Sequence, residues 1–179
     1  NLDRPALVTP LLLASAYHAR VDIPAMLEEA KVRVRQADTI GEDPRLVGVL
    51  DQRLAELELG HRHDTGVLVV AVGSSHEAAN ARTATLASAL SGRGWPRVRV
   101  AYATAQPSVA DGIAELRRHG ADRIALAPWF IAPGRITDRV AAVAAEHGVA
   151  MAEPLGPHPL LAEAVLDRFD QAVVRRMAA

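Results

Sequence analysis

Two apolar stretches of the chain share one layout, with a proline near the middle of each: Ala6-Leu-Val-Thr-Pro10-Leu-Leu-Leu-Ala14 and Ile124-Ala-Leu-Ala-Pro128-Trp-Phe-Ile-Ala132. Pro128 lies 118 residues after Pro10. A second pair of segments, Thr39–Asp51 and Pro154–Asp167, matches at an offset of 115 residues. A nearly constant offset over two separate matches indicates an internal duplication of one structural unit.

The apolar stretches have the composition of strands that are buried on both faces of a parallel sheet. They are short, almost continuously apolar and bounded by glycine, proline or charged residues, which is typical of such strands. The predicted strands are Ala6–Leu13, Val67–Val72, Val98–Ala103, Arg123–Ile131 and Val149–Ala152. Segments with helical spacing separate them, and the first, from Ile23 to Val34, has Asp22 as its predicted N-cap. The alternation predicts an α/β fold of parallel sheets flanked by helices, in two similar halves.

The repeat also predicts how the chain is divided. Residues 1–60 form the C-terminal part of the first half, residues 61–66 a linker, and residues 67–179 the second half. The second copy opens at Val67, 61 residues before Pro128, whereas nine residues precede Pro10. From this difference we expect the first copy to lack roughly 50 residues at its front.

The composition excludes several classes of function. Among 179 residues, Lys and Arg number 20 and Asp and Glu number 21, so the net charge is −1, without the basic excess of a nucleic-acid-binding protein. The chain has no cysteine, which excludes disulfides, zinc–thiolate sites, iron–sulfur clusters and cysteine nucleophiles. No apolar run approaches the roughly 20 residues of a membrane span. We therefore expect a cytoplasmic protein with neither a nucleic acid nor a membrane as partner.

The segment from Pro10 to Pro24 places polar residues directly after the first predicted strand. Tyr17, His18 and Arg20 lie in the short loop between that strand and the next predicted helix. Ligands of α/β sheets bind beyond the carboxyl ends of the strands. There a neutral imidazole can ligate a metal or transfer protons near neutral pH, and an arginine can pair with an acidic substrate. Spacing alone favours the alternative, a surface-loop histidine without a catalytic role and Asp22 as a plain N-cap.

The same segment resembles the signature of the CbiX-type sirohydrochlorin chelatases, the small class II chelatases. The matching residues are Pro10-Leu-Leu-Leu, then Ala16-Tyr-His18 and Asp22-Ile-Pro24. Ala127–Ile136 resembles the corresponding segment in the second half of the long, two-domain members, and Val69–Ser75 resembles the family's opening strand. Together with the internal repeat, the resemblance covers nearly the whole chain and indicates the long form, incomplete at its N-terminus.

The resemblance implies insertion of a divalent metal ion, cobalt or iron, into sirohydrochlorin without ATP, in cobalamin or siroheme biosynthesis. It implies that His18 is the catalytic and metal-binding histidine, and that the family's other histidine lies in the missing front. Because the substrate bears many carboxylates, the candidate substrate-binding residues are Arg20, Arg135 and Arg139. A solvated helical position is the alternative for Arg139.

No cofactor beyond the substrate metal is expected from the resemblance, and the partners are an anionic tetrapyrrole and a divalent metal ion. Association into an oligomer stays open. The alternative function is that of a non-catalytic protein that carries the metal or the tetrapyrrole, since carriage does not need the second histidine.

Overall fold

The computed structural model describes residues 6–31 and 34–177, and within these ranges six strands alternate with six α-helices. The strands are β1 (Ala6–Val8), β2 (Val34–Gln36), β3 (Thr65–Ala71), β4 (Arg97–Tyr102), β5 (Arg123–Pro128) and β6 (Ala150–Met151). The helices are α1 (Ile23–Glu29), α2 (Pro44–Ala55), α3 (Glu77–Ser91), α4 (Val109–Arg118), α5 (Arg135–Glu146) and α6 (Pro159–Met177). A π-helical turn, His18–Asp22, leads directly into α1.

The described strands pair in parallel and form two sheets, one of β1 and β2 and one in the order β4-β3-β5-β6. Every residue of the central strand β3 is buried. Val67 and Val69 pack into a core with residues of α2, α3 and α6, and Leu68 and Val70 pack against α4 and α5. Since successive side chains face opposite sides of a sheet, this one strand supports two helical layers. Complete burial of each such side chain contributes about 1.5–3 kcal/mol. The predicted parallel α/β arrangement is confirmed.

The internal duplication is visible in the register of the strands. The pairs between β1 and β2 and the pairs between β5 and β6 are related by the sequence offsets of 118 and 115 residues. These pairs are Leu7–Arg35 and Val8–Gln36 in the first copy, and Ala125–Ala150 and Leu126–Met151 in the second. The hydrogen bond from Ile40 N to Leu12 O (3.0 Å) likewise has its counterpart between Leu155 N and Phe130 O (3.0 Å). The two copies therefore share backbone pairing as well as sequence.

The two equivalent strands of the repeat, β1 and β5, are both shorter than predicted. β1 ends at Val8 rather than Leu13, and β5 ends at Pro128 rather than Ile131. Proline has no N–H to donate to a neighbouring strand, so the chain leaves the sheet near Pro10 and Pro128. The apolar residues that follow each proline lie outside the sheets and become available for another surface.

The helix predicted from Ile23 to Val34 is also shorter, and a strand follows it. Helix α1 ends at Glu29, and Lys31 adopts a left-handed conformation with φ 52°. Val34, whose spacing matched the helical pattern, begins β2 instead. A single apolar residue fits either periodicity, and its pairing with β1 decides between them. At the other boundary, β3 begins at Thr65, two residues before the predicted Val67, and the proposed division into halves around residues 61–66 stays a prediction.

The buried carboxylate of Asp43 connects the start of α2 to helix α6. Asp43, 6% exposed, caps α2 by accepting the Arg45 backbone N–H and binds the Arg45 guanidinium at 3.0 and 2.9 Å. Arg168 of α6 donates to the same carboxylate at 3.2 Å and to the carbonyl oxygens of Thr39 and Ile40. The hydrogen bond from the Arg45 side chain is the main cause that lowers the pKa of Asp43. This network fixes α6 against the start of α2.

Candidate functional site

A cavity of about 250 Å³ lies beyond the carboxyl ends of β1, β3 and β5, where the chain has left the sheets. Two of its walls come from equivalent positions of the repeat, Leu11–Leu13 and Trp129–Ile131, which are the residues that follow the two prolines. The first residues after β3, Val72–Ser74, form another side. Ala79, Asn80 and Thr83 of α3 complete the surface. The lining is mainly apolar and suits a ligand with an extended apolar body.

The π-helical turn brings His18 to the edge of this cavity. Its side chain is 79% exposed, and its Nδ1 lies 2.5 Å from Oδ2 of Asp22. A carboxylate accepts hydrogen bonds, so Nδ1–H donates and the lone pair of Nε2 is free to bind a metal or a proton. Such a carboxylate–histidine pair fixes the tautomer and the orientation of a metal-binding imidazole. The structure corrects the prediction for Asp22, which makes no capping hydrogen bond to α1 and binds His18 instead.

His18 also borders a second, open groove that runs along α1. This groove is lined by the polar or polarisable side chains of Asp22, Met26 and Glu29 together with apolar residues. The imidazole therefore lies between an apolar cavity and a groove that contains two carboxylates. Within residues 6–31 and 34–177, no group of three or more His, Cys, Asp or Glu side chains could hold a metal ion. Among the described residues, His18 is therefore not part of a complete coordination site of such side chains.

A set of hydrogen bonds shapes the side of the cavity that faces His18. Asn80 accepts from Ser74 N (2.9 Å) and donates to Ser74 O (2.8 Å), which clamps the turn after β3 onto α3. Gly73 permits that turn because its φ is +91° and a Cβ there would lie 2.9 Å from Tyr102 Cβ. The Tyr102 hydroxyl donates to Asn80 O at 2.8 Å, and burial is the first cause that raises the pKa of this tyrosine. The sequence analysis did not assign a role to Asn80.

The predicted arginines divide into two groups in the structure. Arg20 lies on the π-helical turn with His18, and its Nε donates to Ser15 Oγ at 3.2 Å. Arg135 and Arg139 are exposed residues of the first turns of α5 and do not line the cavity. The structure therefore brings Arg20 and His18 together near the cavity, whereas the roles predicted for Arg135 and Arg139 stay predictions.

One further arginine near the cavity was missed by the sequence analysis. Arg82 of α3 donates from Nη2 to Ser15 O at 3.4 Å, across 67 residues of the chain. It lies on α3 between Ala79 and Thr83, which both line the cavity. The alternation of alanines and polar residues in α3 offers no signal for this contact, because only the packing of α3 against the Ala14–Ala16 loop creates it. The apolar walls were detectable, since the repeat itself aligns Leu11–Leu13 with Trp129–Ile131.

The sequence matches a known protein family over most of its length. A family model described as CbiX matches residues 3–57 and 66–172. The sirohydrochlorin ferrochelatase of Priestia megaterium is 29% identical over 140 residues, which are 74% of this chain and 53% of that protein. The sirohydrochlorin cobaltochelatase of Sulfurisphaera tokodaii is 42% identical over 52 residues, 28% of this chain and 43% of that protein. The chain spans about half the length of these curated relatives.

Solved structures share the fold. SirB from Bacillus subtilis with Fe³⁺ superposes with a TM-score of 0.78 at 22% identity, covering 93% of this chain and 71% of that one. CbiX, described as the terminal enzyme for biosynthesis of siroheme in denitrifying bacteria, superposes with a TM-score of 0.71 at 22% identity, covering 93% and 75%. These likenesses confirm the predicted chelatase-like architecture. Among the described helices, none combines the length and the apolar character that crossing a membrane requires.

Proposed function

The chain belongs to the CbiX family, and on this premise we propose that it acts as a sirohydrochlorin chelatase. The proposed reaction inserts Co²⁺ or Fe²⁺ into an anionic tetrapyrrole without ATP, in cobalamin or siroheme biosynthesis in the cytoplasm. The observation that supports it best is the position of His18, whose free Nε2 lies at the border of an apolar cavity while Nδ1 is held by Asp22. The names of the relatives, a ferrochelatase and a cobaltochelatase, support both metals.

The arrangement offers an apolar surface for the ring and one imidazole for the metal and a proton. The apolar walls from Leu11–Leu13 and Trp129–Ile131 offer a surface for a macrocycle. As M²⁺ enters the ring, two pyrrole N–H protons must leave, so the ring loses two protons for each metal ion gained. His18 Nε2 can first hold the incoming metal and, once the metal has passed to the ring nitrogens, accept one of the two protons, while the other passes to solvent water. Asp22 then stabilises the imidazolium that forms, because its negative charge lies against Nδ1–H. Imidazole binds Fe²⁺, Co²⁺ and Ni²⁺, so His18 by itself does not select one metal.

In this proposal, arginine side chains bind the carboxylates of the substrate. Arg20, next to His18 on the π-helical turn, is positioned to bind a carboxylate beside the cavity. Arg135 and Arg139 are proposed as outer substrate-binding residues on α5. No cofactor other than the substrate metal is required by the chemistry.

A non-catalytic carrier of metal or tetrapyrrole is the second candidate. It is favoured by the absence, among the described residues, of three side chains that could jointly hold a metal. A carrier would bind the tetrapyrrole and leave the rate of metal insertion at its uncatalysed value, whereas a chelatase would raise that rate. The two functions are therefore distinguished by measuring binding and insertion in the same sample.

The experiment that tests the proposal is spectrophotometric insertion of Co²⁺ and Fe²⁺ into sirohydrochlorin by wild-type protein and by His18→Ala. We expect His18→Ala to lower the insertion rate about 10²-fold or more, because a group that transfers protons and binds the metal is lost. His76→Ala is the matched control, since His76 is exposed, caps α3 without a side-chain hydrogen bond and does not line the cavity. Wild-type insertion rates in correctly folded His18→Ala would refute the proposed role of His18.

A further inference from the structure

Two arginines from distant parts of the sequence meet at one residue beside the cavity. Arg20 Nε donates to the Ser15 side chain at 3.2 Å, and Arg82 Nη2 donates to the Ser15 carbonyl oxygen at 3.4 Å. Arg20 belongs to the π-helical turn that contains His18, and Arg82 belongs to α3. The two guanidinium groups therefore come from the two copies of the repeat, and both form a hydrogen bond with Ser15.

Ser15 and the two arginines lie at the rim of the cavity rather than in its wall. Ala14 and Ala16, on either side of Ser15, both line the cavity. On α3, Ala79 and Thr83 line it as well, three residues before and one residue after Arg82. Both arginines are exposed. A ligand that fills the apolar cavity would place its periphery next to these two guanidinium groups.

The charges of Arg20 and Arg82 have no carboxylate partner in the part of the chain that the structure describes. Among the described residues, neither Arg20 nor Arg82 forms an ion pair, and each makes only neutral hydrogen bonds to Ser15. Seven other arginines do pair with carboxylates: Arg45, Arg53, Arg62, Arg93, Arg99, Arg168 and Arg175. A guanidinium has five N–H donors in a planar fork, so most donors of Arg20 and Arg82 remain available. Two adjacent positive charges without a counter-ion favour an anion between or beside them.

We propose that Arg82 is a specificity-determining residue that binds the tetrapyrrole's carboxylates together with Arg20, as a clamp across the mouth of the cavity. The proposal rests on the proposed function, since it names which edge of the substrate the same site recognises. The apolar cavity receives the macrocycle, and the clamp binds the carboxylates on the side of the ring that faces Ser15. Arg82 acts on binding rather than on the transfer of protons or metal, because it lies on α3 and its hydrogen bond goes to Ser15, not to His18 or Asp22.

The test compares Arg82→Ala, Arg82→Lys, Arg20→Ala and the double variant Arg20→Ala/Arg82→Ala. Tetrapyrrole affinity is measured by fluorescence quenching without metal, and KM and kcat are measured for Co²⁺ insertion. We expect Arg82→Ala to raise Kd and KM about tenfold, the usual effect of losing a charge-assisted hydrogen bond, with kcat changed less than about twofold. Arg82→Lys should restore part of the affinity, because lysine keeps the positive charge but lacks the planar guanidinium that can donate two hydrogen bonds to one carboxylate. The double variant should lose less than the product of the two single losses, since both residues bind one anionic edge.

Arg117→Ala is the matched control. Arg117 is an exposed arginine whose guanidinium also donates to a backbone carbonyl, that of His147 at 2.7 Å, and it lies on α4 away from the cavity lining. Its removal changes the net charge by the same amount, so a general electrostatic effect would appear in both variants. A porphyrin series with falling numbers of carboxylates, from uroporphyrin to coproporphyrin, adds a second readout. The loss of affinity in Arg82→Ala should shrink along this series.

Several outcomes would overturn the inference. These are equal affinities of Arg82→Ala and Arg117→Ala, a loss that does not depend on carboxylate number, a change confined to kcat, or a wild-type protein that binds no tetrapyrrole. Thermal unfolding of every variant separates a folding defect from a binding defect. If Arg82→Ala does not fold, Arg82→Lys replaces it in the test, because lysine retains the charge and most of the side chain. The wild-type protein could bind tetrapyrrole tightly in an Arg82-dependent way and yet insert no metal. That result would support the role of Arg82 in binding and refute the proposed chelatase activity.

Discussion

The contact between Asp22 and His18 makes Asp22→Asn the most informative single change at the site. In the structure, the Asp22 carboxylate accepts Nδ1–H of His18 at 2.5 Å. Asparagine has nearly the same shape and can still accept that hydrogen bond through its amide oxygen, but it has no negative charge. The change therefore removes the electrostatic support for a protonated or metal-bound His18 while it leaves the surrounding packing in place.

The magnitude follows from the exposure of the pair. Loss of the outer partner of a metal-binding histidine typically lowers metal affinity or activity by about 10–100-fold, which corresponds to about 1.4–2.7 kcal/mol in the barrier. The contribution of the pair to folding is much smaller. The His18 and Asp22 side chains are 79% and 39% exposed, and exposed ion pairs contribute about 0–1 kcal/mol. We therefore expect Asp22→Asn to lose most of its activity and almost none of its stability.

The assay is the rate of Co²⁺ insertion at saturating tetrapyrrole, with thermal unfolding measured on the same samples. Glu28→Gln is the matched control, because Glu28 is an exposed carboxylate of α1, the helix that directly follows Asp22, and lines neither the cavity nor the open groove. Insertion rates within about twofold of wild type would contradict the role of Asp22. A large loss of stability in Asp22→Asn would also contradict it, since the residue would then act through the fold.

Two further predictions concern the scaffold. Asp43→Asn should lower the free energy of unfolding by about 2–3 kcal/mol near neutral pH, because Arg45 and Arg168 lose a common buried anion. Since Arg45 lowers the pKa of Asp43 in the folded state, this contribution is fully present above the usual carboxyl pKa of 3.8 and is lost as the pH falls through the lower pKa of the folded state. Denaturant titrations of wild type and variant should therefore converge below about pH 3.8 and not above it. Gly112→Ala should destabilise the protein by about 1–3 kcal/mol, because a Cβ there would lie 2.6 Å from Leu68 Cδ1 and 3.2 Å from Ala101 Cβ. Gly92→Ala is the control, since its Cβ would meet nothing closer than 3.5 Å. Equal melting temperatures for the two variants would contradict the predicted steric clash at Gly112.

The parallel α/β architecture could be predicted from the sequence because its determinants are local and repeated. Continuous apolar runs such as Val67–Val72 fit only a strand that is buried on both faces, and helical spacing between them requires crossovers. The repeat around Pro10 and Pro128 added the correspondence between the two copies, and the strand register confirms it. His18 was singled out because it follows the predicted strand Ala6–Leu13, but β1 ends at Val8, ten residues before His18, so its predicted role stays a prediction.

The short strand β2 could not be predicted, because too few residues define its period. β2 has three residues, and its first, Val34, also fitted the apolar spacing of the preceding helix. The true helix ends at Glu29, and the pairing of Ala6–Val8 with Val34–Gln36 decides the conformation of the later segment. Tertiary hydrogen bonds therefore overrode a local preference.

The composition of the candidate site was decided by tertiary structure. Asp22 was expected to cap a helix, and only the π-helical turn places its carboxylate against His18 rather than against the backbone of α1. Arg82 meets Ser15 across 67 residues, and nothing local to α3 specifies that contact. The sequence by itself determined five of the six described strands and where the repeat lies, because those features depend on local apolar patterns along the chain. The cavity and the two converging arginines depend on which segments pack together, and packing is a property of the folded chain in three dimensions.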